Sequence, residues 1–217
     1  MFKISDLKGT TTLSNNCTMP YFGLGVYLSE AGNEVENAVK WAIDAGYRHI
    51  DTAAVYNNEE SVGKAVHACG LKRDNIFVTS KVWNADQGYD STLRAFDESL
   101  KKLGFNYLDL YLIHWPVKGK YIQTWKALEK LYTEGRVKAI GVSNFLQHHL
   151  EDILQVAQVM PMINQVEFHP RLVQQPLLDF CADNHIQFQS WSPLMRGQVF
   201  DIPELKSLAT KYKKDIS

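Results

Sequence analysis

Residues 108–114 read LDLYLIH and residues 137–142 read VKAIGV, two short runs that are apolar at most positions or alternate only weakly. A strand with one face in water alternates apolar and polar residues, whereas a parallel strand covered on both faces does not need to. Each run is followed by a longer segment in which apolar residues recur at helical spacing. The two runs therefore predict buried strands of a parallel sheet.

The same alternation of a short strand with a longer helix extends along the chain. Strands are predicted at residues 21–25, 47–51, 76–80, 108–114, 137–142, 162–166 and 186–191, and helices at 33–45, 59–68, 91–103, 121–133, 146–157, 176–184 and 202–213. Asn33 is expected to cap the first helix, and Gly46 to adopt a left-handed conformation at its end. Gly104 and Gly135 are expected to end the third and fourth helices in the same way.

Seven strand–helix units in a row are compatible with an open doubly wound sheet and with a (β/α)₈ barrel. A doubly wound dinucleotide-binding domain would carry GxGxxG between its first strand and helix. The corresponding segment, FGLGVYLSEAGN at residues 22–33, has Gly23 and Gly25 but no glycine at the third position of that motif. We therefore predict an α/β fold, a (β/α)₈ TIM barrel.

The chain is expected to form one domain over residues 1–217, with a small hairpin around Asn15 and Asn16 that closes the lower end of the barrel. Only seven strand–helix units are predicted, so an eighth unit and a C-terminal tail are expected to be absent from this chain. A barrel with an open seam is expected to be less stable and less active than a closed one.

Composition argues against several kinds of partner. The formal net charge is −1, so no general field would attract nucleic acid or an anionic membrane. No apolar run reaches the roughly 20 residues of a membrane span, and the N-terminal segment lacks the apolar core of a signal peptide. Cys17, Cys69 and Cys181 lie far apart and are interpreted as reduced thiols. These features predict a cytoplasmic protein.

Polar side chains fall where six of the predicted strands end, and in such barrels catalytic residues lie at the carboxyl ends of strands. They are Asp51 with Tyr56 shortly after it, Ser80–Lys81, His114–Trp115, Ser143–Asn144, Asn164–Gln165 with Glu167, and Ser190–Trp191–Ser192. Taken singly, each has a structural explanation, such as a cap for Asp51 or a solvent-reaching stem for Lys81. As a set on one rim they favour an active site.

Asp51, Tyr56, Lys81 and His114 together fit proton transfer to a carbonyl oxygen that receives a hydride. An isolated tyrosine has a pKa near 10, so it releases its proton reluctantly. An ammonium about 4 Å away contributes roughly 4 kcal/mol at an effective dielectric of 20, which lowers that pKa by up to about three units. We therefore expect Lys81 to lower the pKa of Tyr56, Asp51 to keep Lys81 charged, and His114 to hydrogen-bond to the substrate. The sequence has no metal site, because no His/Cys cluster has ligand spacing.

Six segments in chain order resemble the aldo-keto reductases. They are GYRHIDTAAVYNNEESVG at residues 46–63, FVTSKVWN at 77–84, LDLYLIHWP at 108–116, GRVKAIGVSNF at 135–145, MINQVEFHP at 162–170 and SWSPL at 190–194. The loop VKGKYIQT at residues 117–124 is short, which is typical of the microbial branch of the family.

The resemblance implies a reductase of aldehydes and ketones that uses NADPH and has Tyr56 as its general acid. The implied cofactor-binding residues are Gly25, Val26, Asp51, Ser143, Asn144, Gln165, Trp191, Ser192 and Leu194. Among them, the Ser–Asn pair and the glutamine would hold the nicotinamide carboxamide, and the tryptophan would stack on the ring in place of the usual tyrosine. The implied substrate residues are Tyr27, Trp83, His114 and Trp115.

The resemblance also implies a small-molecule carbonyl substrate and a monomer. The preference for NADPH over NADH is implied by the family alone, since the segment that binds the adenosine 2′-phosphate in relatives is expected to be absent from this chain. Two alternatives stay open: a nicotinamide-binding regulatory subunit with little turnover, and an inactive fragment of a reductase.

Overall fold

The computed structural model describes residues 7–216 and begins with an antiparallel hairpin of β1 (Thr10–Thr12) and β2 (Thr18–Pro20). Seven parallel strands follow: β3 (Leu24–Gly25), β4 (His49–Asp51), β5 (Phe77–Val82), β6 (Leu108–Ile113), β7 (Val137–Ser143), β8 (Ile163–Glu167) and β9 (Gln187–Trp191). They form one sheet in chain order, each strand paired with the next.

A helix follows each of these strands. The helices are α1 (Asn33–Asp44), α2 (Glu59–Ala68), α3 (Tyr89–Leu103), α4 (Tyr121–Thr133), α5 (Gln147–Leu154), α6 (Gln175–Asp183) and α7 (Pro203–Tyr212). Short 3₁₀ turns at Ala54–Tyr56, Arg73–Asn75, Asn84–Asp86 and Met195–Asp201 lie in the connections. The sheet curls into a nearly closed barrel, and within the described residues β3 and β9 are its two edges. The predicted TIM-type barrel, with seven of its eight strand–helix units, is confirmed.

The centre of the barrel wall is its most buried part. Every residue of β5 and β6 is buried, as the weakly alternating run LDLYLIH predicted. Strands β7 and β8 approach closely at Gly141, where an added Cβ would lie 2.6 Å from the carbonyl oxygen of Ile163. Only glycine fits at that position without moving the neighbouring backbone.

The β1–β2 hairpin lies against the amino ends of the barrel strands, which we call the lower end. Thr11 Oγ1 donates to Gln187 Oε1 at the start of β9 (3.0 Å), and Asn15 Nδ2 donates to the carbonyl oxygen of Lys138 near the start of β7 (2.9 Å). Leu13 and Met19 of the hairpin are buried in the hydrophobic core. The predicted closure of the lower end is confirmed.

The ends of several elements differ from prediction. Asn33 is the first residue of α1 and does not cap it; Gly32 stands at the cap, with φ 96°, and no side chain caps that end. Gly46, Gly104 and Gly135 do adopt positive φ after α1, α3 and α4, as predicted. Strand β3 has two residues where residues 21–25 were predicted, since only Leu24 and Gly25 pair with β4.

Candidate active site

The four residues of the predicted catalytic set meet at the upper end, where the strands have their carboxyl ends. Asp51 ends β4, Lys81 lies near the end of β5, and His114 directly follows β6. Lys81 Nζ lies 2.5 Å from Asp51 Oδ1 and also donates to the carbonyl oxygen of Thr52 at 3.0 Å. The same ammonium is 5.2 Å from the ring centroid of Tyr56, whose ring is 5.7 Å from that of His114.

Hydrogen bonds of the Asn58 side chain connect the turn that carries Tyr56 to the loop after β3. Thr52 Oγ1 donates to Asn58 Oδ1 (2.7 Å), and Asn58 Nδ2 donates to the carbonyl oxygens of Val26 (2.9 Å) and Ser29 (3.2 Å). Asn58 stands at the start of α2 but makes no cap bond there. Sequence reasoning missed this residue, because an asparagine before a helix is ordinarily interpreted as a cap.

Lys81 is 1% exposed and is nevertheless held in its charged form. Burial favours the neutral amine, but the Asp51 carboxylate and Tyr56 outweigh it and raise the pKa of Lys81 above its ordinary value. The Asp51 carboxylate therefore favours the charged form of Lys81.

The pKa of Tyr56 is raised above its ordinary value, whereas the sequence predicted that it would be lowered. Burial raises the pKa of Tyr56 and the Asp51 carboxylate adds to this, while Lys81 lowers it only in part. The charge of Lys81 is evident from the sequence, but desolvation, which favours the neutral phenol, depends on burial in the fold. In the free protein Tyr56 therefore keeps its proton at neutral pH.

His114 is neutral. Burial lowers its pKa to about 3, with Lys81 acting in the same direction and Asp51 opposing it. Its Nδ1 is buried and has no hydrogen-bond partner among residues 7–216. A neutral imidazole has one N–H to donate, which suits a group that hydrogen-bonds to a substrate oxygen.

The predicted cofactor residues of β7, β8 and β9 form a hydrogen-bonded group beside the catalytic set. Ser143 Oγ donates to the carbonyl oxygen of Gln165 (2.9 Å), and Asn144 Nδ2 donates to that of His114 (2.9 Å). Trp191 Nε1 donates to Asn144 Oδ1 at 2.9 Å. Asn144 has φ 63°, a left-handed conformation that asparagine tolerates better than most residues.

Gln165 connects this group to the catalytic set. Its Nε2 donates to Asp51 Oδ2 at 2.8 Å and to Gln189 Oε1 at 3.0 Å. Asp51 therefore accepts from Lys81 with one oxygen and from Gln165 with the other. Gln189 was not among the predicted site residues.

Gly25 and Val26 were predicted to line the cofactor site from β3. Gly25 faces open space, so a ligand can approach its backbone. The side chain of Val26 is fully buried, its N–H donates to the carbonyl oxygen of Asp51, and its own carbonyl accepts from Asn58. The structure thus brings Gly25 to the site but not the side chain of Val26.

The loop after β9 carries the remaining predicted cofactor residues, Ser192 and Leu194. Ser192 has φ 50° and Leu194 is exposed. Further along this loop, the guanidinium of Arg196 lies 5.9 Å from the ring centroid of Tyr27, which follows β3. The loop therefore reaches across the open edge of the barrel.

The aromatic residues of the predicted substrate pocket lie around the mouth of the site. Tyr27 packs 5.0 Å from Tyr56, and Trp83 packs edge-on at 5.2 Å from His114, centroid to centroid. Tyr27 and Trp115 are 56% and 43% exposed, so both present apolar surface to the solvent at this rim.

In residues 7–216, no cluster of three or more His, Cys, Asp or Glu side chains is placed to hold a metal ion. No helix in the same range has both the length and the apolar character needed to cross a bilayer.

A buried Lys–Asp pair, a protonated tyrosine and a neutral histidine thus lie together at the mouth of a parallel barrel, where barrel enzymes have their active sites. Comparison with known proteins makes this specific. The model of the aldo/keto reductase family matches residues 23–206, and the chain belongs to this family of oxidoreductases. The family predicted from the sequence segments is confirmed.

Several known proteins are similar to this chain. It is 55% identical to the glyoxal reductase of Bacillus subtilis, over 98% of this chain and 77% of that protein. It is 46% identical to the methylglyoxal reductase DkgA of Salmonella typhimurium, over 93% of this chain and 74% of that protein. The aldo-keto reductase of Bombyx mori, solved in complex with NADP, superposes with a TM-score of 0.88 at 35% identity, over 98% of this chain and 78% of that one.

Proposed function

We propose that the protein reduces aldehydes and ketones to alcohols with NADPH, and that Tyr56 donates the proton to the carbonyl oxygen. One observation carries the proposal: the buried Lys81–Asp51 pair lies beside Tyr56, with the neutral His114 edge-on to the same ring. The names of the bacterial relatives, which are reductases of small carbonyl compounds, support it. The cofactor would supply a hydride to the carbonyl carbon.

Proton donation is the step that the catalytic set performs. As the carbonyl carbon gains a hydride, its oxygen becomes strongly basic and takes the proton from Tyr56 Oη. The negative charge that then develops on Tyr56 lies next to the Lys81 ammonium, which stabilises it in the transition state more than in the ground state. Asp51 keeps Lys81 charged throughout.

His114 orients the substrate. Its neutral ring donates one N–H to the carbonyl oxygen and places that oxygen near Tyr56 Oη. Trp83 packs against the His114 ring and limits its rotation, and Tyr27 covers Tyr56 from the mouth. Both aromatic rings also reduce the access of water to the reacting atoms.

The residues present fit a nicotinamide cofactor. Gln165 has a hydrogen-bond acceptor that the described residues leave unused, and the partly exposed indole of Trp191 is fixed by its hydrogen bond to Asn144. Ser143, Asn144 and Gln165 would hold the carboxamide, and Trp191 would stack on the ring. Gly25 would line the reactive end of the cofactor, and Ser192 and Leu194 would contact its pyrophosphate.

The substrate is a small carbonyl compound, and the protein acts as a monomer in the cytoplasm. The thiols of Cys17, Cys69 and Cys181 are all free, as expected of a protein in a reducing compartment. Light scattering on the purified protein measures the mass in solution, and a dimer mass would contradict the monomer.

The function is tested by NADPH consumption at 340 nm with a reactive aromatic aldehyde, comparing the wild type with Tyr56→Phe. General acid catalysis contributes about 10²- to 10⁴-fold, so kcat should fall by that factor while the Kd for NADPH stays unchanged. Tyr212→Phe, on exposed surface far along α7, is the matched control and should keep full activity. Turnover by Tyr56→Phe within tenfold of the wild type would contradict the role of Tyr56. NADPH binding without turnover by the wild type would favour a regulatory role instead.

A further inference from the structure

Gln189 lies in the middle of β9, directly beside Gln165 in the register of the two parallel strands. Side chains alternate along a strand, so Gln187, Gln189 and Trp191 share one face of β9. The first of these contacts the hairpin at the lower end, and the last contacts Asn144 at the upper end. Gln189 lies between them, next to the Gln165 amide that donates to Asp51.

The Asp51 carboxylate determines the orientation of the side-chain amides of Gln165 and Gln189. Asp51 carries a charged carboxylate, paired with Lys81, and a carboxylate can only accept hydrogen bonds. The atom of Gln165 that lies 2.8 Å from Asp51 Oδ2 must therefore be the nitrogen. The atom of Gln189 that lies 3.0 Å from the same nitrogen must in turn be the oxygen.

Both N–H groups of the Gln165 amide are thus used, one by Asp51 and one by Gln189. Its Oε1 accepts no hydrogen bond from the residues that the structure describes, so it is the hydrogen-bonding atom of this side chain left for a ligand. Gln165 is 5% exposed, and its two anchors leave the amide little freedom to rotate. An acceptor held in this way is complementary to the NH₂ group of a primary amide.

We propose that Gln189 is a positioning residue for the cofactor: it holds the Gln165 amide so that Oε1 accepts from the NH₂ group of the nicotinamide carboxamide. The inference rests on the function proposed above. With Asp51 alone, the Gln165 amide would have a single anchor and one buried N–H without a partner. Gln189 removes that unsatisfied donor and fixes the acceptor before the cofactor arrives.

The test is a binding measurement on the purified protein without substrate. Gln189→Met keeps the length of the side chain and removes the acceptor. The Kd is measured by fluorescence titration for NADPH and for the reduced 3-acetylpyridine analogue, in which a methyl group replaces the NH₂. The loss of one hydrogen bond corresponds to about a tenfold increase in Kd, so we expect that increase for NADPH and less than about a twofold change for the analogue.

Gln187→Met is the matched control, because Gln187 lies on the same face of β9 but bonds to Thr11 in the hairpin. It should leave both dissociation constants unchanged, and urea midpoints verify that both variants fold. Equal weakening of NADPH and the analogue by Gln189→Met would overturn the proposal, since it would reveal a structural role. No weakening of either would overturn it as well. Failure of the wild type to bind NADPH would overturn the proposed function and this inference with it.

Discussion

The two sides of the barrel mouth are built differently. The catalytic wall consists of β4 to β6, with Asp51 in β4, Lys81 in β5 and His114 directly after β6. Every residue of β5 and β6 is buried. The cofactor wall consists of β7 to β9, and β9 carries Gln189 and Trp191. Every residue of β9 is partly exposed. Strand β6 is paired on both edges, whereas β9 pairs only with β8 in the described part of the chain.

The difference in burial matches the chemistry of the side chains on each wall. The neighbours of the Lys81 ammonium keep it charged against the effect of desolvation, whereas desolvation itself keeps His114 neutral. Strands covered on both faces supply both the fixed neighbours and the burial. The cofactor wall instead presents amide and indole groups, which keep their hydrogen-bonding capacity without charge and tolerate partial exposure. The comparison predicts that substitutions in the catalytic wall affect both stability and turnover, and those in the cofactor wall mainly affinity.

The largest effect is expected for Lys81→Met. It leaves the Asp51 carboxylate without its cation, and breaking a buried ion pair costs about 3–5 kcal/mol of unfolding free energy. Activity should fall at least about 10²-fold, because Tyr56 loses the charge that stabilises its ionised form. Urea denaturation and steady-state kinetics measure the two effects.

The control for this variant is Lys81→Met combined with Asp51→Asn. Removing the unpaired charge should restore part of the lost stability and none of the activity. If the single variant were as stable as the wild type, the Lys81–Asp51 pair would not contribute to the stability of the catalytic wall.

A direct comparison of the walls uses apolar residues. Leu112 in β6 is fully buried, so Leu112→Ala should lower the unfolding free energy by about 3 kcal/mol. Phe188 in β9 is partly buried, and Phe188→Ala should cost about 1 kcal/mol, well below the usual cost for a fully buried phenylalanine. Equal losses in urea denaturation would remove the proposed difference between the walls.

The catalytic wall should also be sensitive to acid. Burial lowers the pKa of His49 to about 4 and that of His114 to about 3, both below the 6.5 of an unfolded histidine. Each is protonated more readily in the unfolded chain, so stability is fully present above pH 6.5 and is lost as the pH falls towards these folded values. At pH 5 the loss is about 2 kcal/mol per histidine.

Urea midpoints at pH 7 and pH 5 test this prediction. His49→Gln should reduce the difference in unfolding free energy between the two pH values by about 2 kcal/mol. His185→Gln, at an exposed position, is the control and should leave the difference unchanged. An unchanged difference in His49→Gln would show that His49 does not contribute to the acid sensitivity.

The smallest effect is expected on the cofactor wall. Trp191→Phe keeps an aromatic ring but loses the hydrogen bond to Asn144 Oδ1. The Kd for NADPH should rise by a factor of about 5–10, as expected for about 1 kcal/mol, with little change in unfolding free energy. A loss of stability as large as that of Lys81→Met would contradict the division of roles between the walls.

Much of this arrangement could be predicted from the sequence, since it depends on local signals. The run LDLYLIH predicted a strand buried on both faces, and the polar residues after the strands predicted which side chains meet at the upper end. The positive φ of Gly104 and Gly135 followed from their place after helical periodicity. These features need only the period of a strand or helix and the rule that parallel strands end on one side.

What could not be predicted depends on contacts between distant residues. The pKa of Tyr56 is raised because burial outweighs Lys81, and sequence spacing carries no information about burial of this kind. Gln189 takes its place through the register of β8 and β9, and Asn58 through contacts with the loop after β3. Polar side chains inside strands offer no local signal that distinguishes a partner in the site from an ordinary surface residue.

The burial of β6 on both faces also has a consequence before the protein folds. In the unfolded chain, residues 108–113 are an apolar segment of high strand propensity, the kind that associates with copies of itself when exposed. Parallel strands pair late, because their contacts are distant in sequence. Asp109 within the segment and Pro116 shortly after it oppose such association, since a charge and a missing N–H both disrupt stacked strands. The charge that anchors the lower end of β6 in the folded barrel, through Arg73 and Lys138, thus also protects the chain during its synthesis.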